Sequence, residues 1–427
     1  NPFPAVQAMM QDTKVMREGL GDLLLKSAMV DDGIALLYSF PSAHAVRVEH
    51  GASYGDYQSH HVAWHRTLRD LGLQFRYITD RMLRHGEWKM ERYKVLILPR
   101  AEALSDREAR VIRRFVGQGG TVIADLRPGL FDEHCKPRSQ GVLDELFGIR
   151  QAGRGPADTG KAELKAKPGV EAFDLTFPSA LYDPHVRSER AIALGQAGET
   201  PLLLVRRVGR GKAILLNFGL PSSPAPGASQ APESAARVFS ALLQEAGVRR
   251  VYSLQTPDGK RLRDIELIRW QTGKIELLAL FREEGKGGKA CIGLPAPRQV
   301  YDLRMRRALG KVSTLQATLK PGRAYFFALL PQAVPEIRLS APIQTHPGGI
   351  VPIKVQIPRA AGKHAIRLRA ILPSGKEADW FHPILVADNK AAEAVLPLAY
   401  NDPKGIWLIE AKELFTGRTV SRSLRVQ

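Results

Sequence analysis

His60, His61, Trp64 and His65, with Tyr57 just before them, place three imidazoles and two large aromatic faces within nine residues. His61 and His65 stand one helical turn apart, a spacing that supplies two of the nitrogen ligands of a zinc site. A third ligand would have to come from elsewhere, and no His-Glu-x-x-His pattern provides a base. His61 and Trp64 also fall on an apolar stripe. Packing, a subunit contact or a sugar contact is therefore the expected use, and no metal is expected.

Nucleophilic catalysis has two candidates. Ser42 and His44 share one loop, but residues two apart on a loop rarely face each other. Cys135 lies too far beyond the nearest strand end to be a nucleophile held on a strained turn, and it reads as a small packing residue. Trp380 and His382 could stack on a sugar ring, although a tryptophan in a β-sandwich core is the plainer reading. The adjacent acids Asp31-Asp32, Asp132-Glu133 and Glu283-Glu284 sit at turns or in loops and diverge, whereas glycoside hydrolysis needs carboxylates that flank a bond from different elements. No catalytic, cofactor or metal-binding residue is expected in this chain.

The elements that would position these side chains follow from periodicity. Residues 34–38 are a continuous apolar strand of the kind buried on both faces of a parallel sheet. Asp56 can cap a helix carrying Tyr57, His61, Trp64, Leu68 and Leu71, which Gly72 ends. Strands at 74–78, 94–99 and 121–124 follow. Ser105-Asp106-Arg107-Glu108 is a capping box for a helix that buries Val111, Ile112, Phe115 and Val116. Strand–helix alternation at this spacing predicts a doubly wound parallel sheet with right-handed crossovers.

Ligands in such sheets bind beyond the carboxyl ends of the strands, here residues 40–44, 79–80, 100–102 and 125–128. The turn at 39–44 has no glycine-rich fingerprint and no Walker loop occurs, so nucleotide binding is not expected. Residues 151–167 look like an exposed insertion. Strands at 202–205 and 213–217, joined through Val208-Gly209-Arg210-Gly211, form a hairpin. A Pro/Ser/Ala/Gly loop at 221–231 leads through Pro232 into a closing helix with Ala235, Val238, Phe239, Leu242 and Leu243 inside.

After Gly247 helical periodicity stops. Short strands at 264–270, 274–281, 288–292 and 324–330, then a second set after a Pro-rich boundary at 331–335, predict sandwich-type domains. The expected fold is multidomain α/β plus all-β: a flavodoxin- or amidotransferase-like parallel sheet followed by two antiparallel, immunoglobulin-like β-sandwiches. The expected domains are 29–250, 252–333 and 334–427. An amphipathic helix within 1–28, with Met16, Leu20, Leu23 and Leu24 on one stripe, has little to bury against and reads as the remnant of an upstream domain.

With 427 residues, 44% hydrophobic and 25% charged, the chain has ordinary globular composition. No run of about 18 apolar residues occurs, so no membrane-spanning helix is expected. Cys135 and Cys291 cannot build a disulfide framework. The first residue is Asn1 and no basic-then-apolar leader follows, which reads as a processed chain or a fragment. The net charge is +19, of which +13 falls after Arg250. The cations are scattered singly along strands, and no recognition-helix, RNP-like or zinc-finger pattern accompanies them, so a solvated face is expected and nucleic acid is not.

Three stretches carry a resemblance. Tyr93-Lys94-Val95-Leu96-Ile97-Leu98-Pro99 leads into Ala103-Leu104-Ser105-Asp106-Arg107-Glu108, then Arg114-Phe115-Val116-Gly117-Gln118-Gly119-Gly120-Thr121-Val122-Ile123-Ala124-Asp125. Together they resemble the trimerisation domain of family 42 glycoside hydrolases, the bacterial β-galactosidases. The resemblance implies the fold of class I glutamine amidotransferases without their cysteine, a catalytic barrel elsewhere with two glutamates, and retaining hydrolysis of β-galactosides. No position here matches either glutamate. Arg17 to Leu25 looks like the helix leaving that barrel, and the segment from Tyr301 to Leu329 is similar to the small antiparallel domain of such enzymes. Gly405 to Arg418 looks like an immunoglobulin-like module of large secreted bacterial proteins, implying a periplasmic or secreted setting.

The resulting expectation is a non-catalytic C-terminal region of a glycosidase. It would serve oligomerisation, most simply as a homotrimer, and shape a neighbouring active site together with the barrel of the same protein. A module set that binds acidic polysaccharide and an independent amidotransferase-like hydrolase using Ser42 or Cys135 are the alternatives.

Overall fold

A computed structural model of the chain describes residues 3–49, 57–153, 157–165, 174–220, 233–283 and 285–427. The helix cap at Asp56, the loop at 221–231, Pro232 and Glu284 lie outside the described residues. The chain divides into two units: Asp31–Arg250, and a second that joins Asn1–Val30 to Val251–Gln427.

In the first unit, residues alternate strictly between two cores. Ile34, Leu36, Val95, Ile97, Ile123, Ile214 and Leu216 face one apolar cluster. Ala35, Leu37, Leu96, Leu98, Val122, Ala124, Ala213 and Leu215 face the other. A strand buried on both sides must be apolar at every position, which explains the uninterrupted runs seen in the sequence. Helices Tyr57–Asp70 and Glu233–Glu245 cover the first face, and helices Asp80–His85 and Asp106–Gly117 the second.

The parallel strands run Arg76–Thr79, Ile34–Tyr38, Val95–Leu98, Thr121–Asp125 and Gly211–Leu216, in that spatial order. In chain order this is 2-1-3-4-5, the flavodoxin-like arrangement. Strand Leu203–Val208 then adds antiparallel to Gly211–Leu216 through the expected hairpin, with Gly209 at φ 58° in the turn. The sheet thus has five parallel strands where the sequence pattern indicated four, because Gly211–Leu216 serves both as a hairpin arm and as the fifth parallel strand.

The capping box is present in full. Ser105 Oγ accepts from Glu108 N at 3.2 Å, and the Glu108 carboxylate accepts from Ser105 N at 2.6 Å. Within the expected exposed insertion at 151–167, the described residues include a paired strand and a buried side chain. Strands Asp158–Lys165 and Asp174–Tyr182 pair antiparallel within a four-stranded sheet, and Leu164 is buried in the main core.

In the second unit, one seven-stranded antiparallel sheet carries Ser253–Gln255, Ile265–Thr272, Ile275–Arg282, Gly288–Asp302, Arg307–Leu319 and Arg323–Leu330. Its remaining strand is Ala28–Met29, paired to Trp270 and Gln271. Where a sandwich was expected, this region is a single curled sheet. Leu278, Leu280, Phe327 and Leu329 fill one side. Leu277, Ala328 and Leu330 face the other side, where Leu20, Leu23 and Phe415 pack.

The N-terminal stripe therefore does find a surface to bury against. Its helix is broken by a kink within Met16–Leu20, where Gly19 adopts φ 128°. A five-stranded sheet (Gln344–Thr345, His364–Ile371, Ile384–Ala387, Gly405–Glu413, Thr419–Val426) and a three-stranded one (Arg338–Ser340, Ile350–Gln356, Ala392–Pro397) share a further core around Trp407.

Candidate functional site

Strand Thr121–Asp125 decides what lies at the carboxyl edge of the parallel sheet. Its odd residues point toward helix Tyr57–Asp70, so its last residue, Asp125, faces His60 and Trp64. Asp125 Oδ2 accepts from Trp64 Nε1 at 2.9 Å and lies 3.1 Å from His60 Nδ1. Its other oxygen accepts from the Arg100 backbone N–H. Arg100 Nη1 approaches His60 Nε2 at 3.3 Å. A guanidinium can only donate, so Nε2 accepts and the Nδ1–H is assigned as donor to Asp125. Burial alone would raise the Asp125 carboxyl, but His60, the Arg100 amide and Trp64 overrule it and hold the group below the usual range.

Two ion pairs are sealed beside this hydrogen-bonded group. Arg100 Nε binds Glu102 at 2.9 Å, and Arg127 Nε lies 3.2 Å from Asp183, all four side chains being inaccessible to solvent. Burial pushes the Asp183 carboxyl up, with Arg127 opposing. Arg100 and Arg127 hold positive φ, 45° and 57°, directly after strands three and four. Left-handed backbone at a non-glycine residue costs of order 1–3 kcal/mol and gathers at functional turns. Here the turn after strand four has the strained backbone of a nucleophile elbow, yet its side chain is an inward guanidinium, which neither attacks nor loses a proton.

The nucleophile candidates are otherwise occupied. Ser42 Oγ donates to Ala103 O and accepts from Ala103 N, each at 3.0 Å, in a buried bridge, while His44 is exposed. Cys135 Sγ points at Pro41 O, 3.4 Å away. His44, Asp80, Arg84, His134 and Cys135 line an open cavity of about 540 Å³ beyond the ends of the first two strands. Asp31 is taken up by Arg76 and Arg92 and Asp32 by Gln74 N, so this adjacent pair clamps strand ends. Among the described residues no group of three or more His, Cys, Asp or Glu could hold a metal ion.

Of the singled-out residues, Tyr57, His61 and Trp64 are buried and His65 is half-buried. Tyr57 Oη accepts from Ser39 N at 2.7 Å. His61 sits among the rings of Tyr38, Tyr57 and Tyr77, and neither ring nitrogen has a hydrogen-bond partner among the described residues. Burial pulls its imidazole down to about 4, against a weaker opposing pull from Asp125. His65 lies edge-on to Phe75. Trp380 is 51% exposed and His382 is exposed, so the sandwich-core reading of Trp380 is corrected: Trp407 fills that core.

Sequence reasoning flagged 100–102 and 125–128 as strand ends and His60 as one of a histidine cluster, but it did not pair His60 or Asp183 with those ends. The available signal was charge directly after an apolar strand, where a side chain must be paired or solvated.

A flavodoxin-like strand order, a filled elbow and attached antiparallel sheets define a doubly wound α/β domain built into a larger β-rich protein. Residues 32–249 match the β-galactosidase trimerisation domain family, and the chain belongs to that family of glycoside hydrolase 42 domains. A search of curated proteins finds no match.

Among solved structures, the β-galactosidase of Bacillus circulans sp. alkalophilus aligns with TM-score 0.57 and 19% identity over 74% of this chain and 44% of its own. The cold-adapted β-galactosidase of Rahnella sp. R3 aligns with TM-score 0.54 and 18% identity over 72% and 43%. A catalytic mutant of Gan42B, a GH42 β-galactosidase from G. stearothermophilus, aligns with TM-score 0.52 and 18% identity over 70% and 40%. The chain spans less than half the length of these structures and shares their fold. Among the described residues no helix is long and apolar enough to cross a membrane.

Proposed function

We propose that this chain is the non-catalytic trimerisation and C-terminal region of a family 42 glycoside hydrolase, holding three copies together and shaping the active site of an adjoining catalytic barrel. The observation that carries this reading is the filled elbow within the matched family domain, where the buried Arg127–Asp183 pair occupies the place a nucleophile would need. The parallel sheet is then an amidotransferase-like scaffold put to structural use. We read 334–427 as an immunoglobulin-like sandwich, supported by two sheets sharing one core around Trp407.

The reading extends to the surface. Helix Pro4–Asp12 buries none of its residues and exposes Val6, Met9 and Met10, which fits a helix covered by an upstream barrel. Trp380 and His382 are the exposed candidates for a sugar or subunit contact. Tyr57, His61 and Trp64 would serve an interface through the helix they anchor, and His65 would lie nearest to it. Light scattering coupled to size exclusion at micromolar concentration tests the assembly: three chain masses are expected, without hydrolysis of a chromogenic β-galactoside. A strict monomer, or turnover by this chain alone, overturns the proposal.

A further inference from the structure

A pocket in the second unit has a predominantly cationic lining. Five cations, Lys14, Arg306, Arg367, Arg369 and Lys412, and two carboxylates, Glu18 and Glu413, surround a volume of about 160 Å³. Strand geometry brings the cations together. Arg367 and Arg369 alternate with Leu368 and Ala370, which point into the sandwich core, so both guanidiniums project from the opposite face. The antiparallel register sets Lys412 directly across from Arg367, and like charges so placed repel. The N-terminal segment adds Lys14, just before the kink, and Glu18 beside it, and Arg306 enters from a turn at φ 49°.

The carboxylates nearby are already engaged. Glu413 accepts from His364 and Phe415 N on one oxygen and from Thr416 N and Oγ1 on the other. Glu18 is shared among Lys14, Arg306 and Arg367. Arg369 is paired with Glu410 at 2.5 Å and with Glu377 at 3.5 Å, and Arg367 also reaches Glu377 at 3.4 Å. Lys412 has no carboxylate partner among the described residues. Burial first, then Arg306, Arg369, Lys14 and Arg367, depress its ammonium.

We infer that this pocket is an oxyanion site, taking one phosphate, sulfate or carboxylate group between Lys412, Arg367 and Lys14. The volume is below the roughly 300 Å³ of a drug-sized pocket but holds several waters or one anionic group. Guanidinium forks suit such planar or tetrahedral oxyanions. The occupant is a free anion or the charged substituent of a saccharide.

Calorimetric titration of the full chain with inorganic sulfate and phosphate, at ionic strength fixed with chloride, tests the site. Saturable binding is expected, weakened at least tenfold in Lys412→Gln. That variant should also be at least as stable as the parent without anion, since it loses a repelled ammonium. Lys14→Gln, at a side chain 66% exposed, gives a second variant that leaves the core intact and should weaken binding several-fold. Galactose 6-sulfate and galacturonate separate the sources: an affinity tenfold above the inorganic anion points to a saccharide substituent, and equal affinity to a free anion. Chloride matching sulfate, or undiminished binding in both variants, overturns the inference.

Discussion

Arg127 and Asp183 meet at 3.2 Å with neither side chain accessible to water, 56 residues apart in sequence. Asn217 Nδ2 donates to the Asp183 carbonyl at 2.9 Å, tying the end of the fifth parallel strand to the same place. The pair fills the turn beyond the fourth strand, while the cavity beyond the first two strands stays open.

Removing one partner of a buried pair strands the other charge. Arg127→Ala should destabilise by about 3–5 kcal/mol, read as a lowered urea midpoint. Replacing both members by apolar side chains, as in Arg127→Met with Asp183→Leu, should recover most of the loss, because no buried charge remains. Equal damage from the single and the double variant would show that the pair's charges are not what holds the turn.

His61 makes stability depend on pH. Its folded pKa of about 4 lies below the unfolded value near 6.5, so the unfolded chain binds the proton more readily. Its contribution is fully present above pH 6.5 and is lost as pH falls toward 4, a slope amounting to roughly 3 kcal/mol. Urea unfolding followed from pH 8 to pH 4 should show that fall in the parent and a flatter profile in His61→Leu. At pH 8 the variant should differ by no more than about 1 kcal/mol, since the ring nitrogens have no partner to lose.

Two glycines should respond with opposite sign. A Cβ on Gly19 would sit 2.9 Å from Ala365 Cβ on a backbone at φ 128°. Gly19→Ala should therefore destabilise by about 1–3 kcal/mol. Gly117, near the end of helix Asp106–Gly117, has open space around its Cβ position and ordinary φ. Gly117→Ala should be neutral or stabilising by up to about 1 kcal/mol. Calorimetric melting of both variants checks the contrast.

The linear sequence determined the doubly wound pattern, the capping box at Ser105 and Glu108 and the hairpin around Gly209, because each is written in neighbours a few residues apart: uninterrupted apolar runs alternating with helical periodicity, a side chain reaching one turn, a turn residue with positive φ. It also carried the family resemblance, through the strand and helix at 93–125. Pairings across the fold were decided by tertiary structure alone. His60 rather than His61 meets Asp125, because helix Tyr57–Asp70 turns that face to the fourth strand. Trp407 rather than Trp380 fills the core shared by the last two sheets. The N-terminal stripe finds its partners some 250 residues away in sequence, at Ile275, Leu277 and Tyr301. Charge and burial at these places depend on distances between segments that no local spacing encodes, which is why the scattered basic residues converge into one pocket only once the strands are laid side by side.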